Sequence, residues 1–263
     1  MIDRIELSID AHVAEVMLNR ADKYNALDLR MFEALGEAAD AIAANASVRA
    51  VVLHGAGGNF SAGIDVSVLS ESDLDFSRAL AAPITPSAAN LFQRAAYAWR
   101  ELPIPVICAL EGVTFGGGLQ IALGADIRYA APNTTLSIME SKWGLIPDMA
   151  ISTTLRHLVA PDKVKELAWS ARVLSADEAR AVGLVTAVVD DPLGAARAMA
   201  KDCAAKSPEA MRGIKALVNQ AWQMSDADAL ALEARLQSGI IGSANQVEAV
   251  RANLEKRNPE FDD

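Results

Sequence analysis

The chain has 263 residues, with 24 Lys or Arg against 34 Asp or Glu and a net charge of −10. That length allows one large or two modest domains around a sizeable core, and the acidic balance argues against a nucleic-acid surface, which needs a basic patch. No run approaches the roughly 18 apolar residues of a membrane span, and MIDRIELSID is charged and alternating rather than a signal peptide, so a cytoplasmic protein without membrane or nucleic-acid partners is expected.

Ile5–Ile9 and Val13–Leu18 alternate as hairpin strands do, joined by Asp10, Ala11 and His12. Asp28 is placed to cap a helix whose apolar residues Leu29, Phe32, Leu35, Ala39 and Ile42 recur at helical spacing. Ala50–Leu53 returns as a buried strand and completes a βαβ unit. Residues 70–86 carry acids, Ser, Ala and two prolines and read as a mobile loop, followed by a helix over Ser87–Glu101 that Pro103 and Pro105 end. Val106–Leu110 is a second buried strand. From Pro192 onward the pattern is helical throughout, and Val247, Val250 and Leu254 give the last helix one apolar stripe. The reading is α/β, with a core over residues 1–191 and a helical region over 192–263. Cys108 and Cys203 read as buried thiols rather than a disulfide.

The most informative stretch is TFGGGLQIALGAD, residues 114–126, taken with NFSAGID, residues 59–65. Each follows an apolar strand and turns through glycine. Gly116, Gly117 and Gly118 permit backbone geometry and close approaches that a Cβ would block. The apolar segment Leu119–Gly124 reads as a helix whose first N–H groups point back at the turn. Two such turns side by side can aim two backbone donors at one carbonyl oxygen, which is the physical content of an oxyanion hole.

These residues resemble the crotonase superfamily, the enoyl-CoA hydratase/isomerase family, almost end to end. NRADKYNAL (19–27), FSAGID (60–65), EGVTFGGGLQIALGADIR (111–128), SIMESKWGLIPD (137–148), LSADEARAVGLV (174–185) and LEKRNPEF (254–261) follow the family's order. The resemblance implies the ClpP/crotonase-like fold of repeated ββα units with a C-terminal helical part that trimerises and covers the active site. It implies an acyl-CoA substrate in fatty acid metabolism or β-oxidation, no metal and no cofactor beyond the coenzyme A thioester itself, and a homotrimer or dimer of trimers. By the same resemblance the oxyanion donors are the N–H groups of Ile64 and Gly117. The backbone of Lys23, Tyr24, Asn25 and Ala26 and of Ala62, Gly63 and Asp65 would bind CoA, with Lys23 near a phosphate. Ser67 stands where many members carry a lysine, and Lys256 and Arg257 are candidates for reaching the nucleotide, although solvated charge on a terminal helix explains them equally.

Proton chemistry next to a thioester needs a polarised carbonyl and at least one well-placed carboxylate. The family's three acid–base places hold Gln120, Glu140 and Asp148 here. Typical 2-enoyl-CoA hydratases carry glutamate at the first place. Gln120 can orient a water but cannot take its proton, and losing such a group costs on the order of 10²–10⁴ in rate. The separation of Glu140 and Asp148 matches the carboxylate pair of dienoyl-CoA isomerases, so an isomerase that moves a double bond of an unsaturated enoyl- or dienoyl-CoA is favoured. Asp148 also precedes an apolar run, Met149–Leu158, where an aspartate commonly caps a helix; cap and base are both open. Hydration of a 2-enoyl-CoA, an Asp148 nucleophile as in the 4-chlorobenzoyl-CoA dehalogenases, and non-catalytic acyl-CoA binding are the alternatives. The three histidines, His12, His54 and His157, lack metal-ligand spacing, and neither a GxSxG elbow nor a P-loop is present.

Overall fold

A computed structural model describes residues 4–68 and 76–263, with the side chains of 76–78 excepted. The hairpin forms as β1 (Ile5–Asp10) and β2 (Val13–Leu18), paired antiparallel. Helix α1 (Leu29–Ala43) then crosses to β3 (Ala50–Gly55), which lies parallel to β2. Asp28 caps α1, its Oδ1 accepting from the Met31 N–H at 2.9 Å, a contact worth about 1 kcal/mol. The main sheet continues in parallel through β4 (Val106–Leu110), β6 (Ile127–Ala130) and β9 (Ala187–Val188). A smaller sheet joins β5 (Val113–Phe115), β7 (Thr135–Ser137) and β8 (Leu174–Ser175).

Both faces of the main sheet are covered, which explains why its strands read as unbroken apolar runs. Val51, Leu53 and Cys108 face one core together with Phe32 and Trp99. Ala50, Val52, Ile107 and Ala109 face a second core, completed by Ala196, Ala200 and Cys203 of helix α8 (Pro192–Ala204). Both cysteines are free and buried. Three further helices follow, α9 (Pro208–Ala221), α10 (Asp226–Ile240) and α11 (Ala244–Glu255). Val247, Val250 and Leu254 of the expected stripe are exposed in the single chain.

Three expectations need correction. The stretch 70–86 is not loop throughout, because it contains helix α2 (Phe76–Ala81), while residues 69–75 lie outside the described residues. Helix α3 (Leu91–Glu101) starts four residues later than expected. Asn90 forms its capping box with Gln93, the two side chains each satisfying the other's backbone N–H. Lastly, Asp148 caps nothing. Helix α5 is only Ile151–Thr154, and its N-cap is Ala150 in the left-handed region at φ 64°. The bend through Met149 and Ala150 sets Asp148 apart from the helix, leaving its carboxylate free of that structural duty.

Candidate active site

Two strand-like contacts hold the first glycine loop. Ser61 pairs with Thr114 of β5 as an isolated parallel bridge, and Ile64 pairs with Leu27 as another. At the second bridge, the Leu27 N–H donates to Gly63 O at 2.9 Å and the Asp65 N–H to Leu27 O at 3.0 Å. In a parallel bridge the flanking residues make these bonds, so the N–H of Ile64 points away from Leu27. Ser61 Oγ braces the turn from inside, donating to Asn25 O at 2.8 Å and accepting from the Gly63 N–H at 3.2 Å.

The second loop enters helix α4 (Gly117–Gly124) through Gly116, at φ 50° and ψ −122°, a region open to glycine. The first three N–H groups of a helix have no partner inside it, and that of Gly117 finds none elsewhere among the described residues. The two loops touch. A Cβ on Gly63 would lie 2.7 Å from Phe115 O and 3.5 Å from the Gly117 nitrogen, and one on Gly118 would lie 2.7 Å from Ser61 Cβ. Glycine at these positions is what lets the loop that carries Ile64 pack this closely against the start of α4.

Both donors line a cavity of about 400 Å³. Its walls are mostly apolar, with Phe32, Leu80, Phe92, Met139, Leu145 and Ile146 among them. Phe32 and Phe92 meet edge to face with centroids 5.0 Å apart. Three polar side chains stand in this wall: Gln120, Glu140 and Asp148. Glu140 opens a 3-10 turn, Glu140–Trp143, after β7, and is buried. Its Oε1 accepts from Gln120 Nε2 at 2.5 Å. Gln120 Oε1 in turn accepts from the Met149 N–H at 2.8 Å. Glu140 Oε2 is buried without a partner among the described residues. Burial holds the Glu140 carboxyl above its ordinary range, and the Asp148 carboxylate adds to the rise, against the opposing hydrogen bond from Gln120. Asp148 is open to solvent along the cavity, yet the protein packed around its carboxyl raises it too.

Such a chamber can hold an apolar acyl group, polarise its carbonyl through two N–H donors, and exchange protons through two carboxyl groups. The sequence profile of the enoyl-CoA hydratase/isomerase family matches residues 8–263. The chain belongs to that family. Enoyl-CoA hydratase/isomerase relatives include the mouse mitochondrial Δ(3,5)-Δ(2,4)-dienoyl-CoA isomerase, 33% identical over 264 residues, covering 95% of this chain and 79% of that protein. The mouse mitochondrial methylglutaconyl-CoA hydratase is 30% identical, with 93% and 77% covered. The crystal structure of an enoyl-CoA hydratase from Bacillus anthracis superposes with a TM-score of 0.89 at 30% identity, covering 98% of each chain. Hydratases and an isomerase thus stand side by side, and the crotonase fold is common to them.

The structure brings Gln120, Glu140, Asp148, Ile64, Gly117, Ala62 and Gly63 to one cavity. Lys23 and Tyr24 are exposed next to it, linked through the Ala62 N–H, which donates to Tyr24 O at 2.9 Å. Asn25 is fully buried. Its amide donates to Ala56 O and Asn59 O, and its own N–H and C=O are spent on Arg20 and Ser61, so it braces the loop. Ala26 likewise spends its N–H on Lys23 O and its C=O on Arg20. Asp65 pairs with Arg20 and accepts from Ser67. Lys256 ends α11 in the left-handed region, exposed, and is not among the residues around the cavity of the single chain. Sequence reasoning missed Arg20, Met149 and the aromatic pair. Phe32 carried a signal in its helical spacing, whereas Arg20 and Met149 act through geometry that no motif announces.

Proposed function

We propose that this enzyme is an acyl-CoA isomerase that moves a double bond of an unsaturated enoyl- or dienoyl-CoA through an enolate. The observation that carries the reading is the pair of carboxyl groups, Glu140 and Asp148, on one apolar cavity with the Ile64 and Gly117 donors, with neither carboxyl engaged as a helix cap. Two like charges in such a place do not both ionise readily. Asp148, the more solvated, is the base; Glu140, the more buried, keeps its proton and is the acid.

The Asp148 carboxylate takes a proton from the substrate carbon, and the C–H electron pair passes into the conjugated system. The developing oxyanion is held by the two N–H groups, contacts worth on the order of 10²–10³ in rate for each donor. Glu140 then delivers its proton at a second carbon and the double bond is shifted. Asp148 ends protonated and Glu140 ionised, and exchange with solvent between turnovers restores both. Gln120 supports this reading over hydration, since an amide cannot accept the proton of an attacking water. The hydratase names among the relatives favour hydration as the second reading.

The test is an ultraviolet assay on a 3,5-dienoyl-CoA with a 2-enoyl-CoA run in parallel. Growth of the 2,4-dienoyl thioester absorbance, lost in Asp148→Asn and Glu140→Gln, is the expected result. Loss of the 2-enoyl absorbance without dienoyl turnover would overturn it in favour of a hydratase. CoA binding that is unchanged in Glu140→Gln, with no turnover of any thioester, would assign a binding protein.

A further inference from the structure

Gln120 sits where its side chain cannot be reversed. The Met149 N–H is a donor only, so the Gln120 oxygen must face it. The NH₂ group is thereby turned to Glu140, where it donates to Oε1 at 2.5 Å. Both ends are well buried, and Gln120 itself is 2% exposed. A carboxyl oxygen that accepts a fixed N–H at this distance is a poor place for a proton, because the two hydrogens would then face each other. The other oxygen, Oε2, is buried with no protein partner among the described residues, in a side chain that lines the cavity.

We propose that Gln120 is a positioning residue that confines the exchangeable proton of Glu140 to Oε2 and holds that oxygen toward the substrate. The proposal rests on the reading of Glu140 as the acid of this site. It gives Gln120 a role other than holding a water: the amide spans two loops, from the peptide N–H that follows Asp148 to the carboxyl of Glu140, and so sets both acid–base groups in one frame. Its length matters. Asn at the same place is one methylene shorter and cannot reach both partners. Glutamate would reach them, but would set a carboxylate against Glu140 Oε1 in place of a donor.

The charged surroundings of Glu140 leave few other causes for a change in its titration. Helix α4, which carries Gln120, has no charged residue. On helix α6 (Pro161–Ser170), packed against the Glu140 turn, Lys163 and Glu166 pair with each other on the exposed side, and Asp162 and Lys165 are exposed as well. Lys142, on the turn itself, is exposed, with Nζ 6.0 Å from the Trp143 ring centre. On α1, Arg30 pairs with Glu33 and Glu37. Asp148 is the charged group that adds to the rise of the Glu140 carboxyl.

The test uses the unliganded enzyme, so it is independent of which thioester turns over. The infrared carbonyl band of protonated Glu140, isolated by subtracting the Glu140→Gln spectrum, is followed across pH in the wild type and in Gln120→Met. Removing the donor that favours the ionised form should move the disappearance of the band to higher pH, and the loss of the Oε1 contact should shift its frequency. An unchanged midpoint and frequency in folded Gln120→Met would overturn the proposal. If that variant does not fold, the side-chain amide signal of Gln120 in the ¹⁵N-labelled wild type decides. Expected is a titration at the same pH as the infrared band, and an amide signal indifferent to that pH would overturn the assignment. Failure of dienoyl turnover with these spectroscopic results intact would count against the isomerase reading alone.

Discussion

Arg20 Nη1 lies 2.8 Å from Asp65 Oδ2 and 3.0 Å from Ala26 O, so one guanidinium joins the loop before α1 to the loop that carries Ile64. Both members of the ion pair are largely shielded from water, which makes the contact worth more than an exposed pair. The Asp65 carboxyl is held below its ordinary range, chiefly by the Ser67 N–H and then by the Ser67 hydroxyl and Arg20.

Arg20→Ala should therefore impair catalysis without touching any acid–base group. A shift of about 1 Å in a positioned group can cost on the order of 10²-fold. The expected outcome is a loss of roughly 10–100-fold in kcat with the pH profile in place. Steady-state kinetics across pH checks it; a moved profile would mean that Arg20 acts on the carboxyl groups directly.

Gly63 supplies a second test of the donor geometry. It has φ 88°, and an added Cβ would fall 2.7 Å from Phe115 O. Gly58 has a similar φ of 69° with open space around its Cβ position. Gly58→Ala should cost only the backbone penalty, about 1–2 kcal/mol, with activity kept. Gly63→Ala should carry that penalty and also displace the Ile64 N–H, lowering kcat by roughly 10²-fold. Thermal melts and kinetics on the two variants together separate strain from catalysis. Equal activity losses would refute a special role for the Gly63 turn.

Much of this arrangement was legible in the sequence because it is local. The Asp28 cap, the period of α1, the buried runs at β3 and β4 and the glycine-rich entry to α4 all depend on residues a few places apart. The late start of α3 is equally local, because Asn90 and Gln93 spell the capping box. Asp148 is different. Its freedom from capping depends on Ala150 taking a left-handed conformation, which alanine does not advertise. The lock on Gln120 depends on Met149 and Glu140, 29 and 20 residues distant, meeting across two loops. No spacing rule finds such a contact. The apolar cavity wall drew Phe32, Phe92 and Ile146 from three separate segments, each of which reads alone as ordinary core or surface.

Lys215 ties the C-terminal helices to the core. Its Nζ is buried and donates to Trp99 O at 3.1 Å and Ile104 O at 2.9 Å, while pairing with Asp126 at 2.8 Å. The two carbonyls sit where α3 ends and β4 begins, Asp126 lies just before β6, and none of these residues lines the cavity. Lys215→Met would leave two buried carbonyls without their donor and take the partner from the exposed Asp126, a loss of about 1–3 kcal/mol. A lower denaturant midpoint with kcat kept in the folded enzyme is expected. A midpoint within error of the wild type would show that water replaces the ammonium at no cost.

Glu140 should make the protein less stable as the pH rises. Its folded-state value lies above the ordinary 4.5, with burial the leading cause. Between those two values the folded chain binds more protons than the unfolded chain, so stability falls as pH increases through that window. Below the unfolded value the carboxyl is neutral in both states and the penalty vanishes. Glu140→Gln keeps an acceptor for Gln120 and carries no charge, so it removes the penalty while abolishing the acid. The variant should melt several degrees above the wild type at neutral pH and near it below pH about 4. Asp148→Asn should behave in the same direction, since its carboxyl is also raised by burial. Calorimetry at both pH values checks the pair. A variant less stable than wild type at neutral pH would mean that the carboxylate is held by favourable contacts after all, and that the site has not exchanged stability for a protonated acid.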